Sequence, residues 1–313
     1  MRDEPTQPID PQIEQQIETI KTLAKQRNAI ILAHNYQPPE IQDLADLCGD
    51  SLELSRKAAQ TDAEVIVFCG VHFMAETASI LSPHKKVLLP RLDAGCLMAD
   101  MITAEALQHR IASLPPMPVV TYVNSTADVK ALSTVCCTSA NVVQVVNSLA
   151  ADEMLLTPDR NLAMYAASRT GKQIHIWEGY CPTHEWLKPE DVAQARAAHP
   201  EAIFVAHPEC RPEILALADV IASTSGMLRH VAQAKEREFI IGTEQGLLYP
   251  LQKANPGKRF YSASRKMICK NMKKIALDDV RRCLENLSNE IKVPEHIRVP
   301  ALKAVEQMIA LKV

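Results

Sequence analysis

The hydrophobic positions of the chain form short apolar runs that alternate with amphipathic stretches. Nine of these runs are rich in Ile, Val and Leu, a pattern typical of strands buried on both faces of a parallel sheet. They are AIILAH, EVIVFC, KVLLP, PVVTYV, EMLLT, QIHIW, AIFVAH, DVIAS and EFIIGT. The alternation of such strands with helical stretches predicts βαβ units and an α/β fold.

The nine runs divide into three sets of three, each followed by a helical stretch: TAEALQHRIASL, KPEDVAQARAAH and ALDDVRRCLENL. A period of roughly 85 residues is too long for a solenoid and fits a small three-layer domain. We therefore predict three homologous αβα domains with parallel sheets, related by a pseudo-threefold axis, with the active site at their junction. The predicted domains are residues 1–114 with an N-terminal helix, 115–199, and 200–313 with an amphipathic C-terminal helical tail.

Composition and charge exclude several classes of function. Of the 313 residues 47% are hydrophobic, and the net charge of −3 leaves no basic stripe for nucleic acid. The N-terminal MRDEPTQPIDPQIEQQ is polar, and no apolar run is long enough to span a bilayer. We expect a cytoplasmic protein that binds neither nucleic acid nor membranes. With only 9 glycines and no G-x-G-x-x-G or Walker A sequence, the chain also shows no nucleotide-binding loop.

Polar residues recur at matching positions in the three sets. The first strand of each set ends in a tripeptide, and these are His34-Asn35-Tyr36, Tyr122-Val123-Asn124 and His207-Pro208-Glu209. Seventeen residues after the first member of each tripeptide comes a hydroxyl residue before a helical run, namely Ser51, Ser139 and Thr224. We expect these hydroxyl residues to be N-caps, next to helix N–H groups that bind anions.

The nine cysteines form no C-x-x-C pair, and their odd number in a chain of this kind argues against a disulfide framework. Cys96, Cys181 and Cys269 lie 62, 59 and 62 residues after the first members of the three tripeptides. Each follows the third predicted strand of its set, with a longer insertion, GLLYPLQKANPGKRFYSASRK, in the third set. Because functional crevices lie beyond the carboxyl ends of parallel strands, three thiolates are expected to converge at the axis. The other six cysteines are interpreted as small buried hydrophobic residues.

Three thiolates with an open fourth position suit two kinds of site. One is a catalytic zinc ion, which His184 in CPTH could complete, and the other is an iron–sulfur cluster with one cysteine-free iron. Either metal could act as a Lewis acid that assists loss of water. The nearby polar groups add proton-transfer capacity and indicate a small, multiply anionic substrate; they are His34, Tyr36, Tyr122, His184, His207 and Glu209.

Several ordered motifs resemble the quinolinate synthase family of NAD biosynthesis. They are AHNYQPPEIQDLADLCGDSLELS, DAGCLMAD, VTYVNSTADVKALSTVCCTSAN, GYCPTH, AHPEC, STSGM, IIGTEQGLL and CKNMKK, spread from about residue 30 to 275. The resemblance implies a triplicated fold around a [4Fe-4S] cluster held by Cys96, Cys181 and Cys269, with one open iron. Lys270 departs from the proline that the family often has after its third cysteine.

The resemblance also implies a reaction and the residues that carry it. The reaction condenses iminosuccinate (iminoaspartate) with dihydroxyacetone phosphate to quinolinate, releasing phosphate and two waters. An enzyme that oxidises L-aspartate is the expected partner that supplies iminosuccinate. The implied substrate-binding positions are His34, Ser51, Tyr122, Val123, Asn124, Ser139, His207, Pro208, Glu209 and Thr224. Glu209 is the expected general base, and Tyr36 and His184 are the expected proton-transfer or positioning groups.

Two alternatives stay open at this point. The first is a zinc-dependent or iron–sulfur hydro-lyase that acts on another small dicarboxylate. The second is a non-catalytic iron–sulfur sensor, which would need a recognition helix or basic patch that the sequence does not show.

Overall fold

The structure, a computed structural model, describes residues 10–311, and its strands form three four-stranded parallel sheets. The first sheet contains β1 (Ala29–His34), β2 (Leu47–Gly49), β3 (Val65–Cys69) and β4 (Lys86–Leu88). The second contains β5 (Val119–Tyr122), β6 (Val135–Cys137), β7 (Glu153–Thr157) and β8 (Gln173–Ile176). The third contains β9 (Ile203–Ala206), β10 (Val220–Ile221), β11 (Glu238–Gly242) and β12 (Arg259–Ser262). The predicted α/β fold with three parallel sheets is confirmed.

Helices connect the strands and cover the sheets. They are α1 (Pro11–Gln26), α2 (Pro39–Leu44), α3 (Ser51–Gln60), α4 (His72–Leu81), α5 (Ala104–Ala112), α6 (Ala127–Ala131), α7 (Val142–Ser148), α8 (Arg160–Arg169), α9 (Pro182–Glu185), α10 (Pro189–Ala198), α11 (Pro212–Leu215), α12 (Thr224–Gln233), α13 (Leu248–Ala254), α14 (Leu277–Asn286) and α15 (Glu295–Ala310). Three short 3-10 turns occupy Ala99–Met101, Gln245–Leu247 and Lys270–Lys273.

The prediction of three strands per set was wrong, because each sheet has a fourth strand at an edge. β2 and β6 are only three residues long, and β12, with the sequence RFYS, lacks a continuous apolar run. Edge strands have one unpaired side and need less apolar sequence than central strands. The supposed insertion of the third set therefore contains α13 and β12, and each of the three cysteines follows the fourth strand of its sheet.

All three sheets have the same strand order, which for the first sheet is β2-β1-β3-β4. From the central strand β1 the chain moves first to one side, to β2, and then to the other side, to β3 and β4. Ligands bind beside such a reversal, at the carboxyl ends of the two central strands. The tripeptide that begins at His34 lies at this point of the first sheet, and its counterparts lie at the same point of the other two.

The three sheet units contact one another head to tail. A residue 39 positions after the first member of each tripeptide contacts the segment that follows the first strand of the next unit. Between the first and second units, Lys130 Nζ lies 5.6 Å from the ring centre of Phe73. Between the second and third units, Asn161 Nδ2 donates to Glu209 O at 3.1 Å. Between the third and first units, Gln42 Nε2 donates to Gly246 O at 3.2 Å. The third unit thus contacts the first again, and the ring closes with all three strand-end segments facing inward.

The terminal helices reinforce the first two units. α1 packs against α14, α2 and β1, while α15 packs against α6, β6 and α4. Residues 289–291 run along β4, where Ile291 N–H donates to Val87 O at 2.8 Å. The predicted C-terminal helical tail therefore lies on the first two sheets, and the domain boundaries at 114/115 and 199/200 remain a prediction. Across residues 10–311, helices lack the combined length and apolar character that a membrane span requires.

Candidate active site

A cavity of about 390 Å³ lies where the carboxyl ends of the three sheets face one another. Most of the predicted site residues line this cavity. They are His34, Tyr36, Ser51, Cys96, Tyr122, Asn124, Ser139, Cys181, His184, His207, Glu209, Thr224 and Cys269. The two exceptions are Val123 and Pro208, which are buried outside the lining. Val123 lies in a bend just after β5, and Pro208 lies in a turn in which Cys210 N–H donates to His207 O at 2.9 Å, so the strands have ended before these middle residues.

The prediction that the three hydroxyl residues are N-caps was wrong. Asp50 caps α3, with its carboxylate accepting from Leu52 N–H and Glu53 N–H, both at 3.0 Å. Ser223 caps α12, and Asn141 occupies the N-cap position of α7. Ser51 and Thr224 are instead the first helical residues, and Ser139 precedes α7. The three residues are therefore not N-caps, and they line the cavity.

Each cysteine of the cavity stands just before a helical turn. Cys181 is the N-cap of α9, and Cys269 is the N-cap of the turn at Lys270–Lys273. Burial raises the pKa of Cys96 to about 12, although hydrogen bonds from Ala99 N–H and Met98 N–H act in the opposite direction. Such N–H groups stabilise a thiolate or a sulfur that ligates iron.

The three thiols are close enough to influence one another electrostatically. Burial raises the pKa of Cys181, and the charges of Glu209, Cys96 and Cys269 raise it further. Burial also raises the pKa of Cys269. All three are therefore thiols at neutral pH when no metal is bound, so a metal that binds there must displace their protons.

A compact group of potential metal ligands lies beside one of these cysteines. Within residues 10–311, three donor atoms of Cys181, His184 and Glu209 lie within 4.8 Å of one another, whereas the sulfurs of the three cysteines do not form such a group. A single zinc ion with Zn–S bonds of about 2.3 Å holds its sulfurs less than about 4 Å apart. At least two of the three cysteine sulfurs are therefore further apart than a single tetrahedral zinc ion would hold them.

A chain of close polar contacts crosses the cavity wall from Glu209 to Tyr36. Glu209 Oε2 lies 2.6 Å from His184 Nδ1, at an angle that departs from the ideal line of a hydrogen bond. His184 Nε2 lies 2.8 Å from Thr243 Oγ1, and that hydroxyl lies 2.5 Å from the Tyr36 hydroxyl. Thr243 directly follows β11, and all four side chains are buried. We name this set of four residues the polar chain.

Electrostatics keep the carboxylate of the polar chain ionised. Burial alone would raise the pKa of Glu209, but the combined effect of His184, His207 and Tyr122 lowers it to about 2. Burial raises the pKa of Tyr36 well above its usual value, so this phenol keeps its proton at neutral pH. At neutral pH Glu209 is therefore ionised and Tyr36 is protonated, which are the forms that a proton acceptor and a proton donor require.

Two histidines of the cavity are neutral at physiological pH. Burial lowers the pKa of His34 to about 3, and the charge of Lys273 contributes to this shift. Burial and the neighbouring His184 lower the pKa of His207 to about 3. The His184 and His207 rings stack with centres 4.5 Å apart. A neutral imidazole can donate a hydrogen bond through its N–H group to an anionic ligand without taking a proton from solution.

Sequence reasoning missed three buried residues at this site. Thr243 bridges Tyr36 and His184, while Asp159 and Glu244 accept hydrogen bonds from backbone N–H groups of the cysteine segments. The repeat contains a signal for the two carboxylates, since both lie 37 residues after the first member of their tripeptide. Thr243 has no counterpart hydroxyl at the matching positions of the other sets, so only the structure reveals its role.

The strand-end cavity, with its cysteines, neutral histidines and ionised carboxylate, is typical of an α/β enzyme whose active site lies between repeated units. Residues 18–310 match the family model described as quinolinate synthetase A protein. The chain is 56% identical over 292 residues to the quinolinate synthase of Geobacter sp. (strain M21), covering 93% of this chain and 96% of that one. It is 52% identical over 297 residues to quinolinate synthase 1 of Methanosarcina acetivorans, covering 95% of this chain and 98% of that one. The chain belongs to the quinolinate synthase A family and is an enzyme of that family.

Proposed function

We propose that the protein forms quinolinate from iminosuccinate and dihydroxyacetone phosphate, with release of phosphate and two waters. The observation that carries this proposal is that one cavity is lined both by three cysteines from distant parts of the sequence and by residues of the polar chain. The similarity to quinolinate synthases over more than nine tenths of the chain supports it. The alternative of a non-catalytic sensor gains no support, because the cavity places acid and base groups beside the cysteines.

The cysteines Cys96, Cys181 and Cys269 would hold a [4Fe-4S] cluster. The chemistry of the donor set fits this group, because the sulfurs are widely spaced and backbone N–H groups of the following turns point at them. Three ligands leave one iron open. When bound, the cluster supplies a Lewis acid that polarises a substrate oxygen and assists its departure as water.

The residues of the chain would bind the substrates and move protons. The hydroxyls of Ser51, Ser139 and Thr224, which lie at or before helix starts, would hold carboxylate and phosphate groups. Glu209 would remove a proton from a carbon atom beside a carbonyl or imine group. Tyr36 would protonate a leaving hydroxyl and be reprotonated through Thr243 and His184. The buried location of these groups limits water in a reaction that itself releases water.

A second candidate function has one specific observation in its favour. The compact group of Cys181, His184 and Glu209 could hold a single ion, as a metal-dependent hydro-lyase acting on another dicarboxylate would require. In that case Glu209 and His184 would be metal ligands and could not transfer protons. The two functions therefore differ in metal content and in the role of Glu209.

The experiment is anaerobic purification followed by analysis of iron, acid-labile sulfide and zinc, and incubation with both substrates. Our proposal expects four irons and four sulfides per chain and the appearance of quinolinate, identified by mass spectrometry. Stoichiometric zinc without sulfide, together with no quinolinate, would refute the proposal and favour the single-ion hydro-lyase. Addition of an L-aspartate-oxidising enzyme and L-aspartate in place of iminosuccinate tests whether such an enzyme can supply this substrate.

A further inference from the structure

Two buried carboxylates lie outside the polar chain, in matching positions of the second and third units. Asp159 and Glu244 are both 0% exposed, and each lies 37 residues after the first member of its tripeptide. Asp159 lies just after the end of the central strand β7, and Glu244 lies just after the end of the central strand β11. A buried carboxylate at the same point of two repeated units requires a common explanation, because burial of such a group is costly unless it is fully hydrogen-bonded.

The common feature is a hydrogen bond to the backbone of a cavity cysteine. Asp159 Oδ2 accepts from Cys181 N–H at 3.2 Å, while its Oδ1 accepts from Leu162 N–H at 2.8 Å. Glu244 Oε1 accepts from Cys269 N–H at 3.1 Å. A hydrogen bond from a backbone N–H to a buried side-chain oxygen fixes the position of the donating backbone.

The second oxygen of Glu244 ties the same segment to the first unit. Glu244 Oε2 accepts from Gly246 N–H at 2.7 Å and from Lys273 Nζ at 3.0 Å. Lys273 also donates to the backbone carbonyl of Tyr36. The carboxylate therefore connects the third cysteine segment to the segment that carries the tyrosine of the polar chain.

Close packing surrounds both carboxylates, at Gly179 in the second cysteine segment and at Gly246 beside Glu244. A Cβ atom added at Gly179, two residues before Cys181, would come within 2.5 Å of Pro158 O. A Cβ atom added at Gly246 would come within 2.7 Å of Glu244 Oε2. Only glycine allows the backbone to approach so closely at these two positions.

The first unit is built differently. The matching position is Val71, which cannot accept a hydrogen bond through its side chain. The segment before Cys96 is held instead by a backbone bond, in which His72 N–H donates to Ala94 O at 2.8 Å. The carboxylate contact is therefore specific to the second and third cysteines.

We propose that Asp159 and Glu244 are positioning residues that fix Cys181 and Cys269 for the metal group. This inference rests on the cluster proposed above. Partners that orient the ligands of a metal site commonly change metal retention when they are mutated. The hydrogen bonds to the cysteine backbone are the contacts through which both carboxylates would position the metal ligands. Glu244 also lines the cavity, and burial and the charge of Glu244 both raise the pKa of Cys269.

The test uses the variants Asp159→Asn and Glu244→Gln. An amide retains the shape and one acceptor oxygen but replaces the other oxygen by an NH₂ donor. In Asp159→Asn the remaining oxygen can still accept from Leu162 N–H, which leaves a donor facing Cys181 N–H. The matched control is Asp279→Asn, since Asp279 is a buried carboxylate that accepts from Ala276 N–H at the start of α14, away from the cavity.

Each protein is purified anaerobically, and loss of visible cluster absorbance is followed after addition of an iron chelator. We expect loss to be about 10–100-fold faster in Asp159→Asn and in Glu244→Gln than in wild type, and unchanged in Asp279→Asn. The resonance Raman bands of the Fe–S(Cys) bonds should shift in the two test variants only. A role limited to fold stability would lower the unfolding temperature without shifting these bands.

The outcomes separate this inference from the proposed function. A wild-type protein without iron and sulfide would overturn the proposed cluster and the positioning role with it. A wild-type protein with a full cluster, and test variants that retain it at the wild-type rate with unshifted bands, would overturn the positioning role alone. The two test variants are independent, so if one fails to fold the other still decides the question.

Discussion

The hydroxyl of Thr243 is the link on which the polar chain depends. It lies 2.5 Å from the Tyr36 hydroxyl and 2.8 Å from His184 Nε2, and it is fully buried. The variant Thr243→Val preserves the shape of the side chain and removes only this hydroxyl. The variant separates Tyr36 from the imidazole without disturbing the cysteines.

The magnitude of the effect follows from the two lost contacts. Each buried polar group left without a partner costs about 1–3 kcal/mol, so the unfolding free energy should fall by about 2–6 kcal/mol if neither group finds a substitute. General acid–base catalysis by a positioned group contributes about 10²–10⁴-fold to the rate. We therefore expect kcat to fall by about two to four orders of magnitude, with KM changed far less.

The assay is quinolinate formation per cluster, with iron and sulfide measured on every sample. Thr243→Ser restores the hydroxyl and should retain most of the activity. Thr157→Val is the matched control, because the Thr157 hydroxyl is equally buried but contacts Thr121 Oγ1 at 3.2 Å, outside the cavity lining. This control should lose stability without losing turnover.

Two results would refute the reasoning. Wild-type kcat in Thr243→Val would show that protons reach Tyr36 by another route. A loss of activity that only parallels loss of iron would show that Thr243 supports the fold of the site and does not connect its acid and base groups.

Three further predictions concern the same cavity. Replacing any one of its three cysteines by alanine should abolish the cluster. The control Cys210→Ala should retain full iron and sulfide, because that buried thiol contacts Gly242 O outside the cavity. A full cluster in a cavity variant would contradict the ligand assignment. Glu209→Gln should keep the cluster but lose product formation, and near-normal turnover would exclude Glu209 as the essential base. The pKa values of His34 and His207 are about 3 in the folded protein and 6.5 when unperturbed. Below pH 6.5 the unfolded state therefore binds protons that the native state does not, and the free energy of unfolding falls as the pH is lowered. Urea unfolding of the metal-free protein should lose about 1.4 kcal/mol per pH unit for each histidine, and His207→Gln should reduce this slope; an unchanged slope would contradict the assigned protonation state.

The central strands could be predicted from the sequence because their environment leaves little choice. The central strands β1, β3 and their counterparts are buried on both faces. A strand in that environment needs apolar side chains on both faces, and its sequence is therefore a continuous apolar run. The short edge strands β2 and β6 could not be predicted in the same way, because pairing with a neighbour rather than their own composition makes them strands.

The distinction between capping and ligand-facing residues also depended on the structure. Asp50 and Ser51 are adjacent, and both are good N-cap residues by type. The structure assigns the cap to Asp50 because its carboxylate and the side chain of Glu53 form a reciprocal pair with the backbone. Both residues line the cavity, and a difference of one residue in the helix start decides which of the two side chains caps α3.

The sequence by itself determined the repeat, the parallel α/β class and the three cysteines that share a register, because each of these depends on a residue's distance from its own strand end. It could not determine what the three units build together. Thr243 meets Tyr36 across 207 residues of chain, and Lys273 reaches the Tyr36 carbonyl across 237. These contacts exist because the third unit closes the ring against the first. Which side chains meet in the cavity therefore depends on how the units pack against one another.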